Sequence, residues 1–386
     1  MLGRLTEPWY FPRPVLASHL LTLLVDGPGD PLALVGERRI GKTSHLRLEL
    51  LPAARERGFF PVYVDIYQHR SNPLAAINYA LQEAIDDLTV PHTAPGRRLK
   101  TAVKKIGAAS FALELGDEPA RRRPDDPFLL QDWLLKSLVR TARKPLLLVF
   151  DEIQELATAA NGEPVVSALR SAITKSRNSL RVVFTGSSQE KLLDLFSRSR
   201  AALYEGASTV PFPRLAADFI AFMAAQCKQR FKKRMPEPEL SRAFEQLQHQ
   251  PRALIDLVLL HASNDAATLA DTLAAQVKAQ LTSGKYDALW AQLKPLQQRI
   301  CKRLVRGDDV TSAAARQEYA QGSGKAEIAP GTVHDALRAL LEAHVLNKGA
   351  GGRGAYRVDD LLFAAWLLQP EPPAAARLAA LPNRRT

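Results

Sequence analysis

Cysteine is scarce in this sequence, which holds only two such residues, Cys227 and Cys301, among 386. Neither lies in a CxxC or Cys/His spacing, which argues against a small disulfide-stapled fold and a cysteine-ligated metal site. Long apolar runs are also missing, since none approaches the roughly 18 residues needed to span a bilayer. The first residues lack the basic, apolar and small-residue pattern of a secretory signal. We therefore expect a cytoplasmic protein without a membrane partner.

The charges of the chain are unbalanced. Its 52 Lys and Arg residues against 40 Asp and Glu give a net charge of +12 at pH 7. Such an excess favours an anionic partner, but charge alone does not choose among nucleic acid, nucleotide and an acidic membrane surface. With 46% apolar and 24% charged residues, the composition is that of a folded soluble protein and excludes a disordered or collagen-like chain.

Short apolar runs alternate with helical patterns in the first half of the chain. They lie at 31–35, 59–66, 146–150 and 180–184, and a fifth, weakened by prolines, lies at 208–212. Strands that alternate with helices predict βαβ units and an α/β fold built on a parallel sheet. In such a sheet the fourth strand would lie beside the first.

A glycine-rich loop follows the first of these runs. Residues 36–43 match G-x-x-x-x-G-K-[ST], between a predicted strand and a predicted helix, which is the context that this phosphate-binding loop requires. Its backbone amides would surround a phosphate, Lys42 would neutralise the β and γ charges, and Thr43 would ligate Mg²⁺. The predicted cofactor-binding residues here are Gly36, Glu37, Arg38, Arg39, Ile40, Gly41, Lys42, Thr43 and Ser44.

Two carboxylates end the third strand. Asp151 follows five apolar residues, so it would stand at the carboxyl end of a buried strand, over the phosphate crevice. We expect Asp151 to hold Mg²⁺ through water and Glu152 to polarise the water that attacks the γ-phosphate. The alternative is an acidic pair that caps the next helix.

Polar residues also close the fourth strand, at Thr185-Gly186-Ser187-Ser188. A hydroxyl here can hydrogen-bond the γ-phosphate or the attacking water, and Ser187 or Ser188 is the favoured candidate. A Ser/Thr helix cap is an equally good interpretation of any one of them.

The phosphate loop, the strand ending in Asp151-Glu152 and the segment from Phe184 to Ser188 together resemble the archaeal-type P-loop ATPases of the AAA+/STAND group, relatives of the archaeal origin-recognition ATPases. The resemblance extends over most of the chain, because the C-terminal block is similar to that family's winged helix. It implies ATP or ADP with Mg²⁺, a helical lid, and nucleotide-dependent domain movement or homo-oligomerisation.

The resemblance also assigns residues outside the two central motifs. Arg13 belongs to a segment similar to the family's N-terminal box beside the adenine. Arg252 matches the second sensor, which reaches the γ-phosphate, although a solvent-exposed arginine at a helix start is the alternative. Arg198 or Arg200 is a candidate trans-acting arginine finger, with an exposed basic face as the competing interpretation.

Four parts follow from the pattern and the resemblance. After the fifth strand the pattern is helical to about residue 281; helices are then predicted at 288–305, 310–320 and 331–344, followed by a glycine-rich hairpin. The parts are an ATPase domain at 1–214 with a basic insertion at about 91–126, a helical lid at 215–284, a winged-helix domain at 285–369 and a flexible tail at 370–386.

DNA binding is the expected role of the winged helix. Its proposed recognition helix offers Arg338 and His334 as base readers. In the wing, Lys348, Arg353 and Arg357 suit phosphate contacts. Because so few side chains could read bases, we expect non-specific binding. Winged helices also dock proteins, so a protein partner stays open.

The predicted function is an ATP-hydrolysing switch, slow or partner-stimulated, that binds DNA through the winged helix and a basic surface. The alternative is a nucleotide-controlled oligomeric signalling or defence scaffold whose winged helix docks a protein.

Overall fold

The chain folds into two compact units, residues 1–262 and 263–386. The computed structural model describes residues 8–69, 71–89, 123–157, 159, 161–186, 207–263, 268–321, 326–343, 345–348 and 356–368. Most of the predicted basic insertion and the whole predicted tail lie outside the described residues. The assignment of ATPase, lid, winged-helix and tail domains therefore stays a prediction.

A parallel sheet of five strands forms the centre of the first unit, in the order β2-β3-β4-β1-β5. All five predicted strands are present, and the fourth lies beside the first, as expected. The strands are β1 Leu32–Val35, β2 Phe60–Asp65, β3 Leu146–Asp151, β4 Leu180–Gly186 and β5 Ser208–Pro211.

Helices cover both faces of this sheet and continue after β5. They are α1 Pro14–Asp26, α2 Lys42–His45, α3 Leu51–Glu56, α4 Pro73–Thr89, α5 Pro127–Ala142, α6 Gly162–Lys175, α7 Ala217–Phe231, α8 Glu237–Gln246 and α9 Pro251–Ala262. A π-helical turn, Leu46–Leu50, joins α2 to α3. Short 3-10 turns lie at Tyr67–His69 and Ile153–Ala157.

Alternating side chains of β3 divide the core into two layers. Leu146, Leu148 and Phe150 pack with α4, α5 and α6 on one face. Leu147 and Val149 pack on the other face with α1, the π-helical turn and α3. Because successive side chains of a strand point to opposite faces, a strand covered on both sides reads as one continuous apolar run. Because the strands are parallel, the carboxyl ends of β1, β3 and β4 lie at one edge of the sheet.

The second unit is helical, with one two-stranded sheet. Its elements are α10 Leu269–Thr282, α11 Lys285–Gln292, α12 Pro295–Val305, α13 Ala313–Ala320, α14 Pro330–Glu342, β6 Leu346–Lys348, β7 Tyr356–Val358 and α15 Leu361–Leu368. Strands β6 and β7 pair in antiparallel fashion, as the predicted hairpin requires.

The single helix predicted over 288–305 is wrong. The chain leaves the helical conformation at Leu293 and Lys294, and α12 starts afresh with Pro295 in its first turn. A proline disfavours the helical conformation of the residue before it but suits the first position of a new helix. None of the helices in the described ranges combines the length and hydropathy of a bilayer span.

Candidate nucleotide-binding site

The glycine-rich loop lies between β1 and α2, where the sequence places it. Gly41 has φ of 92°, a left-handed conformation that glycine adopts without steric cost. A Cβ added to Gly36 would lie 2.9 Å from Cδ1 of Ile40 and 3.1 Å from Cβ of Phe212, so a side chain there would force its neighbours apart. Gly41 is thus needed for its backbone angle, and Gly36 for the close approach of the Ile40 and Phe212 side chains.

Lys42 lies inside this loop and is 6% exposed. Its Nζ donates hydrogen bonds to the carbonyl oxygens of Gly36 at 2.8 Å and Glu37 at 2.5 Å. Burial lowers the pKa of Lys42 to about 8, although the charges of Glu152 and Asp151 partly oppose that shift. The loop therefore holds a desolvated amine whose positive charge an incoming anion would stabilise.

Asp151 ends β3 and is buried beneath the loop, where three hydroxyl groups donate to its carboxylate. Thr43 Oγ1 and the Tyr63 hydroxyl each lie 2.7 Å from Oδ2, and Thr185 donates to Oδ1. Burying a carboxylate costs several kcal/mol, and hydrogen bonds to a charged group contribute about 1.5–3 kcal/mol each. These three donors, which belong to α2, β2 and β4, offset much of that cost.

Tyr63 and Thr185 are the members of this group whose contact with Asp151 sequence reasoning missed. Burial raises the pKa of the Tyr63 hydroxyl, and the neighbouring Asp151 charge raises it further, so the phenol stays a proton donor. Thr185 belongs to the polar segment that closes the fourth strand, where Ser187 or Ser188 is the favoured candidate; those two serines lie outside the described residues.

The donors at this point suit a magnesium ion. Thr43 and Asp151 offer a hydroxyl and a carboxylate oxygen 2.7 Å apart, and Mg²⁺ prefers hard oxygen ligands. Among the described residues no group of three or more His, Cys, Asp and Glu side chains is placed to hold a metal. A magnesium ion bound here would therefore complete its shell with phosphate oxygens and water, which is usual for this ion.

Glu152 directly follows this buried acid and has φ of 59°. A positive φ is uncommon for residues other than glycine, and such backbone conformations cluster at functional sites. The side-chain amide of Gln154 donates to its carboxylate, and its charge is close enough to Lys42 to raise the pKa of that amine. Both predicted carboxylates thus lie near the loop lysine.

Arg13 reaches the same loop from the N-terminal segment. Its Nη2 donates to the carbonyl oxygen of Gly41 at 3.4 Å, and its Nη1 donates to that of Pro213 at 3.3 Å. The guanidinium carbon lies 4.3 Å from the centre of the Phe212 ring. Arg13 also borders a mainly apolar groove of about 430 Å³, whose lining is Phe11, Pro12, Arg13, Pro14, Val15, Leu16, His19, Pro213 and Asp218.

A buried polar cluster anchors this N-terminal segment. The Glu49 carboxylate accepts from the backbone amide of Arg13 at 2.6 Å and from the Tyr10 hydroxyl. His45 is fully buried, with Nδ1 3.7 Å from Glu49 and no hydrogen-bond partner on either ring nitrogen among the described residues. Burial lowers the pKa of His45 to about 4, so its ring is neutral at physiological pH.

For the remaining predicted residues the structure gives only exposure, local ion pairs or a position on an element. Arg252 is exposed at the start of α9, where it pairs with Asp256 one turn later at 2.9 Å. Arg338 is 70% exposed on α14, 3.8 Å from the Asp335 carboxylate, and Arg357 is exposed on β7. Lys348 ends β6. Arg198, Arg200 and Arg353 lie outside the described residues.

Comparison with solved structures finds proteins of similar fold. The Walker-type ATPase of Pyrococcus abyssi is 18% identical over 92% of this chain and 95% of its own, with a TM-score of 0.57. The Aeropyrum pernix ORC2 protein, in ADPNP and ADP complexes, is 14% identical over 95% of this chain and 93% of its own, with a TM-score of 0.51. The ADP form of that protein matches with the same identity and TM-score. No protein-family model and no curated protein sequence matches the chain.

The similarity shows the fold. The chain has the α/β architecture of P-loop ATPases of the AAA+ type, and the predicted resemblance to archaeal origin-recognition ATPases is confirmed at that level. At identities below one fifth, the function has to be argued from the site.

Proposed function

We propose that this protein binds and hydrolyses ATP as a molecular switch of the AAA+ type. The observation that carries the proposal is the meeting of Lys42, Thr43 and Asp151 at one edge of the sheet, with Glu152 beside them. A glycine loop, a buried amine, a hydroxyl next to a carboxylate and a second carboxylate are the groups that phosphoryl transfer needs. The Aeropyrum pernix ORC2 protein, which shares the fold, was solved with ADPNP and ADP, and this supports an adenine nucleotide.

Each residue then has a chemical role. The amides of loop 36–41 and the ammonium of Lys42 bind the β- and γ-phosphates. Thr43 and Asp151 would hold Mg²⁺, which supplies positive charge to the phosphate oxygens when bound. Glu152 accepts a proton from water as the water oxygen bonds to the γ-phosphorus and the bond from that phosphorus to the bridging oxygen breaks, releasing ADP and phosphate.

The groove beside Arg13 is the proposed binding site of the adenine base. Its walls are mainly apolar and it adjoins the loop through Arg13, so a flat adenine ring can lie there while its phosphates reach Lys42. This position agrees with the resemblance of Arg13 to a residue of the N-terminal box.

The second unit is proposed to contact DNA without sequence preference. Arg338 on α14 and Arg357 on β7 are exposed. Lys348 is the last residue of β6, and Arg353 falls between β6 and β7 in the sequence. Basic side chains of this kind suit phosphate contacts, and the net charge of +12 favours a polyanion.

A protein-docking scaffold is the second candidate, and Asp335 favours it. This carboxylate is exposed on α14 beside Arg338, where it would repel a DNA phosphate and partly neutralise the nearby arginine. In this alternative, ATP sets a homo-oligomeric state and α14 meets a protein partner.

Steady-state ATP hydrolysis tests the proposal, measured with and without duplex DNA at two salt concentrations. We expect Lys42→Ala to lose nucleotide binding, and Glu152→Gln to bind ATP but hydrolyse it about a hundredfold more slowly. Glu163→Gln, which removes an exposed carboxylate on α6, is the matched control. Full hydrolysis by Lys42→Ala would contradict the assignment. Stimulation by DNA that weakens at high salt favours the DNA-coupled switch, and DNA-independent turnover favours the scaffold.

A further inference from the structure

The linker from β5 to α7 lies directly against the phosphate loop. The backbone amide of Phe212 donates to the carbonyl oxygen of Val35 at 2.7 Å, and its side chain fills the space beside Gly36. Two residues later, Arg214 forms an ion pair with Glu37. The linker therefore contacts the first two residues of the loop, with a buried side chain at one and an exposed ion pair at the other.

Arg13 connects the same linker to the far end of the loop. Its guanidinium donates hydrogen bonds to the carbonyl oxygens of both Pro213 and Gly41. The same group stacks on the Phe212 ring. The ring of His45 meets the Phe212 ring edge-on, with their centres 5.6 Å apart. Phe212 is thus held by the N-terminal segment and by the helix that follows the loop.

Lys42 bonds to the same two loop residues that the linker contacts, so a phosphate that binds Lys42 would change the hydrogen bonds at that point of the loop. Its hydrogen-bond acceptors in this structure are the carbonyl oxygens of Gly36 and Glu37. If Lys42 turns to a bound phosphate, the carbonyl oxygens of Gly36 and Glu37 lose that donor, so the hydrogen bonds of these two loop residues have to rearrange. The adjustment falls on the two loop residues that Phe212 and Arg214 touch.

We propose that Phe212 and Arg214 are positioning residues that transmit phosphate binding in the loop to helix α7. The linker is short: β5 ends at Pro211 and α7 begins at Ala217, so a displacement at Phe212 has few intervening residues to absorb it. The inference rests on the proposed nucleotide binding. It adds the contacts through which the helices after β5 would respond to that binding.

Hydrogen exchange of the full chain tests this path. Exchange of the α7 amides is measured without nucleotide and with ADP or a non-hydrolysable ATP analogue plus Mg²⁺. In the unaltered protein we expect nucleotide to change α7 exchange rates by about threefold or more. In Phe212→Leu combined with Arg214→Gln, we expect less than about half of that change while nucleotide affinity stays within about threefold.

The controls separate the path from a general loss of stability. Phe212→Leu keeps an apolar side chain but removes the ring on which Arg13 stacks. Arg214→Gln alone changes only an exposed ion pair, so it retains the fold and must give a partial loss of the α7 response. Arg242→Gln removes an exposed arginine of α8 and should leave the response unchanged.

Three results would overturn the inference and leave the proposed function intact. They are a normal α7 response in the double variant, a normal α7 response in Arg214→Gln alone, and nucleotide binding by the unaltered protein without any α7 response. If the unaltered protein binds no nucleotide, the proposed function fails and the inference fails with it.

Discussion

Nucleotide affinity should fall as pH rises above 8, because Lys42 then loses its proton. Burial lowers its pKa to about 8 in the free protein, whereas a bound polyphosphate would hold the amine protonated. Binding therefore takes up a proton above the free-state pKa. Between pH 7.5 and pH 9 the protonated fraction of Lys42 falls from about three quarters to about one tenth, so affinity should drop about eightfold.

Titration calorimetry checks this at pH 7.5, 8 and 9, in two buffers of different ionisation enthalpy. At pH 8 we expect uptake of about half a proton per nucleotide bound. Three other groups with shifted pKa values do not titrate in this range: burial holds His45 neutral, with its pKa lowered to about 4, and raises the pKa values of Tyr10 and Tyr63. Lys42→Arg, which keeps its charge throughout, should remove the dependence.

An affinity that stays constant from pH 7.5 to pH 9 in the unaltered protein would refute the reasoning. Lys42 would then either be solvated and fully charged before the nucleotide arrives, or make no contact with the phosphates. A pH dependence that persists unchanged in Lys42→Arg would equally assign the proton to another group.

Three further outcomes are expected. Tyr63→Phe removes one hydroxyl donor from the buried carboxylate of β3 and should lower the free energy of unfolding by about 1–2 kcal/mol in urea titrations; no change would mean that water replaces the hydroxyl. Asp126→Ala removes the side chain that caps the first amides of α5 and should cost about 1 kcal/mol by the same measurement. Replacing Arg338 and Arg357 with alanine should reduce the slope of log affinity for DNA against log salt by about 1 for each phosphate that the variant no longer neutralises; an unchanged slope would exclude these two arginines from the DNA interface.

The features that could be predicted from the sequence are those whose signal is local. Glycines at fixed spacing before Lys42 and Thr43 identify the loop, and five apolar residues before Asp151 identify the third strand. Apolar runs bounded by turns likewise predicted the strands and their parallel arrangement. The error at 288–305 arose because apolar spacing continues across a break, and Pro295 in that range was the local signal against a continuous helix.

Two other site residues, Thr185 and Tyr63, carry no local signal of their contact with Asp151. Thr185, on β4, donates to Asp151, on β3 beside it, only because these two strands pair in the sheet. Tyr63 lies on β2, which pairs with β3 on the other side. In sequence Thr185 belongs to the polar end of the fourth strand, but nothing there pairs it with Asp151. Tyr63 looks like an ordinary strand residue, since no periodicity distinguishes a buried tyrosine that binds a carboxylate from one that packs in the core.

By itself, the sequence determined the phosphate loop, the acidic end of β3 and the α/β alternation, because glycine geometry, charge and apolar spacing act over a few neighbouring residues. Only the tertiary structure decided which hydroxyls hold Asp151, that Glu49 anchors the N-terminal segment, and that Phe212 lies against Gly36 from far along the chain. The physical reason is that these contacts depend on strand order and on the packing of distant segments, which hydrophobic burial sets for the whole sheet at once.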